Sequence, residues 1–135
     1  MSLELIPEQF VDLLKDEVRA YAFLATTMRD GSPQVTPVWF NTDGEYILVN
    51  SAQGRVKDRN MRSRPQVALV LQDPGDPYRY LQIQGRVVEV TTEGAREHID
   101  ALSAKYTGNT KYESVRPGDV RVTYKIQPEN VSSMG

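Results

Sequence analysis

The sequence predicts a mainly β fold: a six-stranded antiparallel barrel flanked by a few helices. Three observations predict it. Short runs of apolar and β-branched residues recur along the chain, several with period-two alternation. Two turn pairs, Asp30-Gly31 and Asp43-Gly44, join the first of these runs as tight hairpins do. No repeat or linker divides the 135 residues, so a single domain spanning 1–135 is expected. Antiparallel strands of this number close most economically into a small barrel, because closure leaves no bare edge.

The elements follow in order. Pro7-Glu8-Gln9 reads as a helix start, with proline in the first turn and acid near the positive end of the dipole. Phe10, Leu13, Leu14 and Val18 continue at helical spacing and predict one short amphipathic helix over a barrel end. Residues 21–28, 34–41 and 45–50 predict three strands joined by the two glycine turns, an antiparallel meander. Ser51-Ala52-Gln53-Gly54 is a loop, and residues 55–64 predict a helix that stops at Pro65. Residues 67–71 form an apolar strand, and Asp73-Pro74-Gly75-Asp76-Pro77 reads as a loop. Residues 80–90 predict a long strand through Leu81, Ile83, Val88 and Val90, with Gly85 marking a bulge or a close approach. Residues 93–106 predict a second helix capped by Thr92, with Ala95, Ile99, Leu102 and Tyr106 on its apolar side. Residues 120–126 form the last strand, alternating Val122, Tyr124 and Ile126.

Composition removes several function classes. The chain is 39% apolar and 25% charged, which is folded rather than disordered. It has no cysteine, so no disulfide framework or thiolate metal site can form. Met1-Ser2-Leu3-Glu4 lacks the basic and apolar regions of a secretory signal. No apolar run approaches the roughly 18 residues of a membrane span, so the expected compartment is the cytoplasm. A net charge of −2 argues against a nucleic-acid partner. His98 is the single histidine and is expected to be exposed in mid-helix, which supports neither a metal site nor a histidine-dependent triad. There is no glycine-rich nucleotide loop, so a reaction here needs a cofactor to carry it.

The most informative segment runs from Arg55 to Arg64. It holds five cations and one acid in ten residues of a net-acidic protein. As a helix it presents Arg55, Arg59 and Arg62 on one face and Lys57, Asn60, Met61 and Arg64 on another, with no apolar stripe to explain either. Loop amides at 51–54 and the following helix start would make an anion seat, to which arginine adds a fork and lysine a point charge. The residue chemistry fits a phosphate seat and a solvated basic face equally well. Two further segments are candidates. Tyr78 and Tyr80 share a strand face, as flanks of a ring system or as core. Gln34-Val35-Thr36-Pro37 has a proline inside a strand, which indicates an edge or bulge, able to offer backbone groups to a ligand or simply irregular.

The order of these pieces resembles the pyridoxamine 5′-phosphate oxidase-like family of flavin-binding split barrels. The run from Ala25 to Phe40, with Asp30-Gly31-Ser32-Pro33 at its turn, is similar to the family's opening strand pair. Gly54-Arg55-Val56-Lys57-Asp58-Arg59-Asn60-Met61 is similar to its phosphate-binding segment. Asp76-Pro77-Tyr78-Arg79-Tyr80-Leu81, then Gly85-Arg86-Val87, and the tail Ile126-Gln127-Pro128-Glu129-Asn130-Val131 resemble the branch that uses the deazaflavin coenzyme F-420.

The resemblance implies a six-stranded split barrel that works as a homodimer, with cofactor in a groove between subunits. It implies Arg55 and Lys57, in the segment that includes Val56, as phosphate ligands, with Asn60 beside them. It implies Asn50, Ser51 and Ala52 along the cofactor chain, and Gln34, Val35, Thr36 and Pro37 beneath the ring. Tyr78 and Tyr80 would close the site from the other subunit. The expected function is an oxidoreductase passing a hydride from reduced coenzyme F-420 to a small-molecule acceptor. The alternatives are an FMN enzyme of the same fold, or a non-catalytic carrier or sensor of either cofactor. Arg59, Arg62 and Arg64 are surplus to one phosphate and suit the longer anionic tail of coenzyme F-420.

Overall fold

The structure is a computed structural model that describes residues 2–135; Met1, where the N-terminal reading begins, lies outside it. One antiparallel sheet holds seven strands in the order β2-β1-β5-β6-β7-β4-β3. They are β1 (Tyr21–Thr27), β2 (Pro33–Val38), β3 (Phe40–Thr42), β4 (Ile47–Ala52), β5 (Gln66–Asp73), β6 (Asp76–Thr91) and β7 (Arg121–Met134). Two α-helices, α1 (Val56–Ser63) and α2 (Ala95–Thr107), pack against this curled sheet. This is the split-barrel class, with seven strands in place of the expected six.

The extra strand comes from the expected 34–41 run, which breaks at Trp39. β2 pairs with β1 at one edge of the sheet, and β3 pairs with β4 at the other. The chain therefore crosses from one free edge to the other through one residue, which curls the sheet toward closure. Trp39 is outside the ladder because its indole stacks on Tyr106 of α2, with centroids 5.7 Å apart and planes at 10°. The expected meander is accordingly two hairpins at opposite edges. Pro37 does sit on an edge strand, where its missing N–H is tolerated.

Three other expectations are corrected locally. The N-terminal helix is a set of 3-10 turns, Ser2–Leu5, Glu8–Leu14 and Asp16–Val18. Residues three apart eclipse in that geometry, and it puts Phe10 and Leu13 together into the core. The expected loop after Asp73 is a tight hairpin in which Asp73 pairs with Asp76, and the Asp73 carboxylate accepts the Gly75 N–H. α2 starts after Gly94 rather than Thr92, because Thr91 Oγ1 engages the Glu93 N–H and delays the first turn.

Alternate residues of five strands fill the barrel: Ala22, Leu24, Ile47, Val49, Leu69, Leu71, Leu81, Ile83, Tyr124 and Ile126 are all buried. Gly85 stands at a bulge, and a Cβ there would meet the Gln127 carbonyl oxygen at 2.8 Å. β7 is buried on both faces from Arg121 to Tyr124. Its inner residues enter the core, while Arg121 and Thr123 lie on the outer side that α2 covers. That arrangement places the site.

Candidate functional site

A cleft of about 530 Å³ opens between Trp39, α2, the start of α1 and the start of β7. Its size falls in the usual range of small-molecule sites. One end is apolar and aromatic. Trp39 is stacked on Tyr106, and Tyr112 meets Trp39 edge-on with centroids 5.9 Å apart. Phe23, Pro37, Val38 and Leu102 extend this wall. The other end carries Arg55, Lys57 and Arg121 beside Asn50.

Local sequence builds the cationic end. β4 finishes at Ala52, and the chain reverses at Gly54, whose φ of +91° favours glycine. Asp58 fixes that reversal: its carboxylate accepts the Gly54 N–H at 2.9 Å, the Arg62 Nε at 2.9 Å and the Tyr124 hydroxyl. Burial pushes the Asp58 pKa up, but those three donors outweigh it and hold the carboxyl below the ordinary range. The turn sets Arg55 and Lys57 at the first turn of α1, facing the cleft. Lys57 has its pKa lowered, first by burial and then by the charges of Arg55 and Arg121. Asp119 answers Arg55 at 4.0 Å. The three cations thus repel one another in a half-dry site, which is the electrostatic condition that favours an incoming anion.

The candidate residues divide. Pro37, Asn50, Arg55 and Lys57 line the cleft together. Asn60 turns away from it: its Nδ2 donates to Thr26 Oγ1 at 3.0 Å, and Thr26 donates in turn to Gln34. Gln34 and Asn60 therefore belong to a network that docks α1 on β1. Val35 and Val56 are exposed, and Ser51 and Ala52 are buried. Thr36 and Ser51 each bury a hydroxyl without a hydrogen-bond partner. Tyr78 is 77% exposed, and Tyr80 lines a separate groove with Phe23 and Met134. Neither tyrosine reaches the cleft within one chain. Two of the three surplus arginines are engaged inside the fold: Arg62 with Asp58, and Arg64 with the Thr27 carbonyl and Asn60.

His98 is not the exposed residue the sequence suggested. It is half-buried on the sheet-facing side of α2 and bonded to Asn41, Asn50 and Thr123. A signal was present, since His98 follows Ala95 by three residues and precedes Leu102 by four, on the helix's apolar side. Trp39, Tyr106, Tyr112 and Arg121 also line the cleft and were not among the sequence candidates.

The model of the pyridoxamine 5′-phosphate oxidase family matches residues 6–135. The chain belongs to that family. Among solved structures it is similar to an F-420 reductase, at 33% identity and a TM-score of 0.80, over 94% of this chain and 98% of that one. A conserved hypothetical protein of Mycobacterium tuberculosis shares the fold at 22% identity and a TM-score of 0.73, covering 96% of this chain and 84% of that one. So does a heme storage protein of Vibrio cholerae, at 16% identity and a TM-score of 0.66, covering 95% and 94%. The family is that of pyridoxamine 5′-phosphate oxidase, and its fold is shared by an F-420 reductase and by a heme storage protein. The donor set suits a flavin-like cofactor: an aromatic, apolar wall for a ring system stands beside cations for its phosphate. Among the described residues no helix is long and apolar enough to cross a membrane.

Proposed function

We propose that this chain is an oxidoreductase that holds reduced coenzyme F-420 in the cleft and serves hydride transfer to a small-molecule acceptor. The observation that carries the proposal is one cleft that joins an aromatic wall to a cluster of cations on the first turn of α1. When bound, the deazaflavin supplies the hydride chemistry. Arg55 and Lys57 hold its phosphate, with the free amides at the start of α1 beside them. Trp39, Tyr106 and Tyr112 exclude water from the ring and orient it. Lys57 is committed to the phosphate in this reading, and no other described cleft side chain is assigned as acid or base. The Tyr106 hydroxyl donates to the Ala20 carbonyl at 2.8 Å, and burial pushes its pKa up. Protons then come from solvent.

The proposal includes a homodimer. The outer face of β1 and β2 exposes Tyr21, Phe23 and Val35, the last at 65%. Exposed apolar side chains grouped on one sheet face favour association. Tyr78 and Tyr80, which do not line the cleft of their own chain, would then approach the partner's cleft. Light scattering should give twice the 15.3 kDa of one chain; a monomer with full cofactor affinity would remove the dimer from the account.

A second reading, FMN in the same cleft, is favoured by Arg62 and Arg64 being engaged within the fold, which leaves fewer cations for a long anionic tail. Gel filtration after mixing with each cofactor, read by absorbance and fluorescence, separates the two. Coenzyme F-420 retained and FMN lost is the expected result; the reverse establishes the FMN reading. Retention of neither refutes both.

A further inference from the structure

We infer that Arg121 is a third arm of the anion seat, taking a phosphate oxygen of the bound molecule, and that His98 is the positioning residue that aims it. This role depends on the cleft being the cofactor site.

Arg121 opens β7 and lines the cleft, yet is only 7% exposed. Its Nε donates to Asn50 Oδ1 at 3.0 Å. Its Nη1 is buried without any hydrogen-bond partner. A buried guanidinium donor left unpaired is rare and costly, so it points to a partner that arrives with a ligand. The guanidinium sits over the Tyr112 ring, 5.3 Å from the centroid, at the junction of the aromatic and cationic ends. Arg55 and Lys57 are close enough for their charges to be felt. An anion at that junction would relieve the repulsion and offer the guanidinium the acceptor that Nη1 lacks.

The orientation of Arg121 is set by a one-way chain of hydrogen bonds. Arg121 donates to Asn50 Oδ1. Asn50 Nδ2 donates to the Ala95 carbonyl at 2.9 Å and to His98 Nδ1 at 3.1 Å. His98 Nε2–H donates to Asn41 Oδ1 at 2.8 Å. The Asn41 oxygen therefore selects the tautomer whose Nδ1 is an acceptor. That acceptor holds the Asn50 amide with its oxygen toward Arg121. A protonated Nδ1 would face the Asn50 NH₂ donor to donor and turn the amide. Burial, helped by the Arg121 charge, keeps the ring neutral, with a pKa lowered to about 4.

Three probes and four variants test this by fluorescence titration and calorimetry: coenzyme F-420, its phosphate-free deazaflavin core, and inorganic pyrophosphate. Arg121→Met is expected to weaken F-420 binding about tenfold to hundredfold, the range of a charge-assisted hydrogen bond, and to leave the core unchanged. Equal loss for both, or no loss, overturns the Arg121 role. His98→Leu should reproduce the loss and add nothing in the Arg121→Met background. His98→Gln, which can donate at one end and accept at the other, should restore most of it. Additive losses or failed rescue overturn the positioning role. If His98→Leu does not fold, Asn41→Ala removes only the acceptor that fixes the tautomer; unchanged F-420 affinity there overturns the same role. Should the wild type bind neither F-420 nor the core, the cofactor reading fails, and pyrophosphate decides Arg121 alone. Weaker pyrophosphate binding in Arg121→Met supports the third arm; undiminished or absent binding refutes it.

Discussion

Asp58 and Arg121 are both charged and both buried, at 1% and 7% exposure, and they meet opposite fates. Asp58 is saturated from within the chain by the Gly54 amide, Arg62 and the Tyr124 hydroxyl. Arg121 has one fixed nitrogen and one with no partner. The difference separates a charge that builds the site from one that the site offers outward. Asp58 shapes the Gly54 turn and so places Arg55 and Lys57. Arg121 and Lys57, with Arg55 answered by Asp119 at 4.0 Å, then present a net positive charge to the cleft.

Substitutions should break this contrast in order of size. Asp58→Ala removes the acceptor from a buried network and should cost about 3–5 kcal/mol of stability by denaturant titration, with the anion seat lost as the turn loosens. A loss below about 1 kcal/mol would mean that Asp58 does not organise the turn.

Acid should reveal His98 next. Its folded pKa lies near 4, below the ordinary 6.5. Between those values the unfolded chain takes up a proton that the folded chain refuses, so stability falls as pH drops through that window, by at most about 1.4 kcal/mol per pH unit. Above pH 6.5 this contribution is constant. His98→Gln should flatten that part of the stability–pH curve, read as melting temperature against pH; an unchanged curve would show that the ring is not held neutral.

Arg62→Ala should have the smallest effect. The Arg62 side chain is 41% exposed, so its pair with Asp58 is partly screened. About 1 kcal/mol of stability is expected to go, with cofactor affinity nearly intact. Affinity lost as strongly as in a Lys57 variant would place Arg62 in the seat rather than beneath it.

The same contrast explains what the sequence could disclose. Most strands were legible because alternation such as Val122, Tyr124 and Ile126 reports one buried face. The seventh strand was not, because the break at Trp39 depends on an aromatic partner on a distant helix. Local charge density marked the segment 55–64, and the family resemblance singled out Arg55 and Lys57 within it, which do reach the cleft. Asn60 and Arg64 belong to the same dense segment, but Thr26 and Thr27 on β1 claim them, and nothing local signals that. Arg121 was hidden because the alternation of Val122, Tyr124 and Ile126 marks only the opposite face of β7, and the covering of its own face by α2 is not local information. Tyr78 and Tyr80 stand outside the cleft of a single chain, and their expected role needs a second copy.

The most direct test of the central claim compares coenzyme F-420 with its phosphate-free core on the wild type and on Lys57→Ala, with circular dichroism as the check on folding. The account predicts that the wild type binds F-420 more tightly than the core. It predicts that Lys57→Ala, still folded, loses about tenfold to hundredfold for F-420 and little for the core, so that the gap narrows. Raised salt should weaken the wild type more than the variant. A folded Lys57→Ala protein that binds F-420 as tightly as the wild type would contradict the account and move the phosphate seat elsewhere.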